Sequence, residues 1–123
     1  MSDRNILVVE DNIINQKLVQ VLLTNKGFNV FTAIDSKEAM SVLNKSKLDL
    51  ILMDIQLPGT NGLDLTKMIK ADPKTKDIKI VALTAYAMQT DEEKAKSAGC
   101  EAFISKPFDT EELPKTIEEL LVD

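Results

Sequence analysis

Four short apolar runs, each halted by a polar residue, restrict this chain more than any other feature. Ile6-Leu7-Val8-Val9 leads into Glu10-Asp11, Leu50-Ile51-Leu52-Met53 into Asp54, Ile80-Val81-Ala82-Leu83 into Thr84, and Ala102-Phe103-Ile104-Ser105 into Lys106. A strand with one wet face alternates apolar and polar residues. Unbroken runs of Val, Ile and Leu need burial on both faces, as in a parallel sheet covered by helices. Strands alternating with helical segments predict right-handed crossovers and helices on both sides. In 123 residues the expectation is a single α/β domain, 1–123, with five helices around a five-stranded parallel sheet. The order 2-1-3-4-5 is a common solution at this size.

The intervening segments carry their own punctuation. A helix is expected over roughly Asn12 to Lys26, with Val19, Leu22 and Leu23 on its core face and Gly27 closing it. Phe28 to Ala33 reads as a more amphipathic strand. Asp35 with Glu38 resembles a capping box for a helix reaching about Lys45. The turn-rich stretch Leu57-Pro58-Gly59-Thr60-Asn61-Gly62 precedes a helix ended by Asp72-Pro73. Thr90 with Glu93 predicts a further capped helix closed by Gly99. Asp109 with Glu112 predicts the last one, with Pro114 in its second turn at the cost of a backbone hydrogen bond.

Composition removes several classes of chemistry. The chain contains no histidine, which excludes Ser-His-Asp and Cys-His nucleophile systems and histidine-ligated metals. Cys100 is the single cysteine, so neither an internal disulfide nor a thiolate zinc site can form, which fits a reducing, cytoplasmic setting. Its four glycines build no phosphate-cradling loop motif. A net charge of −5 argues against nonspecific binding to nucleic acid or an anionic membrane, and no apolar stretch reaches the length of a membrane span.

Parallel strands share one carboxyl edge, where ligand sites of open α/β sheets lie. That edge would gather Glu10, Asp11, Asp54, Thr84 and Lys106. Three converging carboxylates need a cation, and an all-oxygen set with room for water suits Mg²⁺. Glu10-Asp11 alone would also be explained as acids favouring the next helix N-terminus, but Asp54, ending a fully apolar run, favours a site. Beside Asp54, the Thr84 hydroxyl and the Lys106 ammonium can each engage a phosphoryl oxygen, with Lys106-Pro107 forming a rigid corner.

Together, Val9-Glu10-Asp11-Asn12, Met53-Asp54-Ile55-Gln56-Leu57-Pro58, Leu83-Thr84-Ala85 and Ser105-Lys106-Pro107 resemble the receiver domain of two-component response regulators, with stand-alone regulators the nearest likeness. The resemblance implies a flavodoxin-like topology and phosphorelay signalling, with catalysis limited to the domain's own aspartyl phosphorylation and dephosphorylation. It casts Asp54 as phosphoacceptor, Asp11 as direct Mg²⁺ ligand, Glu10 as ligand through water and the Gln56 carbonyl as backbone ligand. Thr84 and Lys106 match the pair that senses the phosphoryl group. Phe103 stands where the family has a switch aromatic, usually Tyr or His, and is equally readable as plain core. Tyr86 and Gln56 match positions that tune water access, so bulky Tyr86 is expected to slow hydrolysis.

The resemblance also implies partners: a histidine kinase or histidine phosphotransfer protein as donor, and a downstream protein target. An independent clue lies in the first helix, where Ile14, Leu18 and Val21 form a second apolar stripe beyond the one a sheet requires. That stripe, with Pro107, is the expected docking surface. Three rival readings fit the residues less well. A haloacid dehalogenase-type phosphatase needs an acid two residues after its nucleophile, and here that residue is Gln56. A flavodoxin-like electron carrier needs aromatics around its flavin, whereas this chain has no Trp and one Tyr. A degenerate receiver used only for binding would lack key residues, and none is missing.

Overall fold

The computed structural model describes residues 4–57, 61–84, 89–105 and 109–121. The elements alternate as expected: β1 (Asn5–Val9), α1 (Ile13–Asn25), β2 (Asn29–Ala33), α2 (Ser36–Lys45), β3 (Leu50–Asp54), α3 (Gly62–Ala71), β4 (Lys79–Thr84), α4 (Gln89–Ala98), β5 (Ala102–Ser105) and α5 (Glu112–Leu120). All the strands are parallel, in the order β2-β1-β3-β4-β5.

The unbroken apolar runs are explained by two cores, one on each face. Leu7, Val9, Ile51, Met53, Ile80 and Ala82 point to one side, where α2, α3 and α4 supply Ala39, Leu65, Ile69 and Ala95. Ile6, Val8, Leu50, Leu52, Val81 and Leu83 point to the other, against Val19 and Leu23 of α1 and Leu113 and Ile117 of α5. Every one of these strand residues is fully buried. Burying one such side chain is worth about 1.5–3 kcal/mol, so neither face of a central strand could carry polar residues without loss. Edge strand β2 is only partly covered, which explains its mixed composition.

Helix ends follow local chemistry. The Asn12 side chain accepts hydrogen bonds from Ile14 N (3.0 Å) and Asn15 N (3.1 Å), capping α1. At the other end Gly27, at φ 93°, donates to Thr24 O while Phe28 N reaches Leu23 O, a Schellman closure that favours glycine. Gly99, at φ 113°, closes α4 the same way. Asp35 Oδ1 accepts from Glu38 N (2.9 Å), and Glu38 Oε1 returns to Ile34 N rather than to Asp35 N.

Two boundaries differ from expectation. Helix α4 begins at Gln89, which places Thr90 inside the helix rather than at its cap. Regular α5 begins at Glu112, not at Asp109. Asp109 does cap a turn, accepting from Glu111 N (2.8 Å) and Glu112 N (3.2 Å), and that turn closes with Leu113 N to Asp109 O. Pro114 has no N–H to continue it, so it lies in the first turn of α5, where an intrahelical donor is not needed.

The amino edge of the sheet is laced by side chains. Asn5 binds Asp49 Oδ2 through its N–H (2.8 Å) and Lys47 O through its amide (2.7 Å), while Asn29 Nδ2 reaches Asn5 Oδ1. Arg4 donates to Leu121 O (3.0 Å). Lys70 Nζ donates to Lys76 O, to Ile78 O and to Glu101 Oε2, and Glu101 Oε1 accepts from Ile80 N (2.7 Å).

Candidate functional site

The opposite, carboxyl edge gathers the predicted residues. β1 delivers Glu10 and Asp11, and its neighbour β3 delivers Asp54; ligand oxygens of the three carboxylates lie within 4.8 Å of one another. Glu10 and Asp54 are 1% and 3% exposed, whereas Asp11 is exposed at the rim. Buried carboxylates this close repel strongly unless a cation sits among them. The set is all oxygen, which suits a hard divalent ion such as magnesium.

Backbone groups hold the carboxylates in place. Gln56 N donates to Asp54 Oδ1 (2.8 Å), fixing the rotation of that side chain, and Asn12 N donates to Glu10 Oε2 (3.3 Å). Gln56 itself is exposed, two residues beyond Asp54. Ile55 N bonds Leu83 O (3.1 Å), so the chain leaving β3 stays beside the end of β4. Thr84, 1% exposed, ends β4 next to Asp54 and is in register with Ser105 of β5.

Phe103 pairs in register with Ala82 and is partly buried, packed against the core beneath α2, α3 and α4. Lys106, Pro107 and Tyr86 lie outside the described residues, as do Pro58, Gly59 and Thr60 of the turn-rich stretch. On α1, Val19 and Leu23 are buried, whereas Ile14, Leu18 and Val21 are 80%, 42% and 56% exposed. Two apolar faces on one helix are therefore real, and only one meets the sheet.

Two contributors were not anticipated. Gly62 opens α3 so close to β3 that a Cβ there would overlap Asp54 O and lie 2.6 Å from Ile55 Cα. In sequence it reads only as half of an Asn-Gly turn. Gln16 is buried in α1, its amide donating to Glu10 O and Ala33 O. The signal was its spacing: Gln16, Val19 and Leu23 fall on one helical face, and a polar residue on a core face demands partners.

Comparison with known proteins points to one family. A family model described as response regulator receiver domain matches residues 6–118. The polar-differentiation response regulator DivK of Brucella anthropi is 40% identical over 120 residues, covering 98% of both chains. The receiver domain of the sensor histidine kinase PA1611 from Pseudomonas aeruginosa PAO1, solved with a magnesium ion coordinated in its active-site cleft, is 34% identical at a TM-score of 0.86, covering 96% of this chain and 97% of that one. The receiver domain of Saccharomyces cerevisiae Ssk1, co-crystallised with the histidine phosphotransfer protein Ypd1, is 34% identical at a TM-score of 0.87, covering 95% and 88%.

Proposed function

The chain belongs to the receiver-domain family of response regulators, and from that premise we propose that Asp54 is its phosphoacceptor, working beside a magnesium ion held by Glu10, Asp11 and Asp54. The observation that carries this reading is the carboxylate cluster at the sheet's carboxyl edge, with Asp54 almost wholly buried. Its donors fit magnesium in type and spacing, and the PA1611 receiver holds that ion in its own cleft. Bound there, magnesium supplies positive charge for the phosphoryl oxygens and for the acids themselves.

The chain's own groups perform the rest. The Gln56 N–H holds the Asp54 carboxylate in one rotation. An Asp54 oxygen attacks phosphorus in line as the P–N bond of a phosphohistidine breaks. The imidazole departs with the electron pair and takes up a proton. Having no histidine, this chain cannot be its own donor, so a histidine kinase or phosphotransfer protein supplies the group. The Ssk1–Ypd1 pairing supports a partner of that kind. Lys106 neutralises phosphoryl charge, and Thr84 follows the new dianion, with Phe103 as the aromatic that responds. The exposed stripe Ile14, Leu18 and Val21 receives the donor, with Pro107 assigned to the same role from the family resemblance.

This reading makes the chain a single signalling domain that catalyses only its own phosphorylation and dephosphorylation and acts on a protein target in the cytoplasm. No helix among the described residues is long and apolar enough to cross a membrane. The test is incubation with acetyl phosphate, with and without magnesium, followed by intact-mass measurement. Wild type should gain one phosphoryl group only with magnesium, and Asp54→Ala should gain none. Equal labelling of the variant would remove Asp54 from its role.

A further inference from the structure

One buried polar side chain is not used by the chemistry above. Gln16 lies in the first turns of α1, 8% exposed, on the face that otherwise presents Val19 and Leu23 to the sheet. Its backbone N–H closes the first turn on Asn12 O (2.9 Å). Its side-chain Nε2 turns back beneath the start of the helix and donates to Glu10 O and to Ala33 O, each at 3.2 Å. Ala33 O also accepts from Glu10 N (2.9 Å). One amide thus joins α1, the end of β1 and the end of β2.

The position of the Glu10 carbonyl matters for a geometric reason. It belongs to the peptide unit linking Glu10 to Asp11. Because that unit is planar, holding its oxygen fixes the orientation of the whole plane. The plane sets where the Asp11 Cα stands, the point from which its side chain departs, and the bond from Glu10 N to Ala33 O anchors the residue before it. A Gln on a core face has to be satisfied there, since an unpartnered buried amide costs free energy. Here one of its donations is spent on the backbone that carries two of the three clustered carboxylates, and the other on Ala33 O, the carbonyl that also holds Glu10 N.

We propose that Gln16 is a positioning residue for the divalent-cation centre: its amide locks the Glu10–Asp11 peptide so that both carboxylates stand ready with Asp54 before the ion arrives. The inference rests on the reading of Glu10, Asp11 and Asp54 as the magnesium site. Groups that orient metal ligands typically change metal affinity by about 10–100-fold when removed, and Gln16 acts at one remove, through the backbone of the ligands.

The test is magnesium binding by isothermal titration calorimetry on wild type, Gln16→Met and Gln16→Asn. Met keeps the length and bulk but has no donor, whereas Asn keeps the donor but is too short to reach both carbonyls. Thr75→Val serves as the control, because it removes a side-chain donor to Ile69 O (2.6 Å) at the far end of the molecule. The two Gln16 variants should bind magnesium about tenfold more weakly, and Thr75→Val should match wild type even where its thermal midpoint falls as far. Phosphorylation of the Gln16 variants by acetyl phosphate should require more magnesium for half-maximal rate yet approach the wild-type rate at saturation. If one Gln16 variant does not fold, the other decides. Unchanged affinity in a folded Gln16 variant, with wild type binding normally, overturns this inference alone. Absence of magnesium binding by wild type overturns the reading of the site on which it stands.

Discussion

At single positions, the structure converts small chemical differences into sharp expectations. Gly62→Ala would gain helix propensity, worth at most about 1 kcal/mol. The new methyl would press on Asp54 O and Ile55 Cα, which are backbone atoms that cannot swing aside. Overpacking of this kind costs about 1–3 kcal/mol, so the variant should be less stable by urea denaturation and slower to phosphorylate, because the strain falls on the acceptor's own peptide. Cys100 behaves differently. Burial pushes its thiol from 9.0 up to about 11; a hydrogen bond with Thr66 lowers it, Glu101 raises it and Lys70 lowers it. The fold therefore favours the protonated thiol. That contribution is intact below pH 9 and is lost as pH rises from about 9 towards about 11. Across that window wild type should lose more stability than Cys100→Ala, and parallel urea midpoints for the two would contradict it.

Helix α1 shows what an element can carry beyond its place in the fold. Its buried face holds Gln16, Val19 and Leu23, while Ile14, Leu18 and Val21 face outward. Ile14→Asp places a charge on a residue already 80% exposed, so stability should change by no more than about 0.5 kcal/mol. Phosphotransfer from a histidine-bearing protein should slow markedly, whereas labelling by acetyl phosphate should not. Equal loss with both donors would show that the stripe serves the site rather than a partner. Helices were readable in the chain wherever caps were local and complete, as at Asn12, Asp35, Gly27 and Gly99. They were misread where the signal depended on context. Thr90 has the look of a cap but lies inside α4, whereas Asp109 does cap the turn that leads into α5, three residues before its regular part begins.

For the molecule as a whole, the parallel sheet was legible because runs such as Leu50–Met53 suit strands dry on both faces and alternate with helical segments that can cover them. The carboxyl-edge residues followed from that, since a common strand direction sends Glu10, Asp11, Asp54 and Thr84 to one border. Gln16 and Gly62 were not legible as site residues, because their work is done through backbone atoms whose positions only the folded chain defines. Magnesium binding should be felt globally. An ion bound by the native state alone, at one hundred times its dissociation constant, stabilises by about 2.7 kcal/mol. Wild type should therefore unfold at higher temperature with magnesium, and Asp11→Ala should not; a midpoint indifferent to the ion in wild type would contradict the site.

The lacing of Arg4, Asn5, Asn29, Asp49, Lys70 and Glu101 along one border has a mechanical outcome. Those bonds hold the sheet at the border opposite the carboxylate cluster, so Asp54 stands at the end they do not tie. A phosphoryl group added there would leave these bonds in place, so a message could be written and erased at one border while the other keeps its grip.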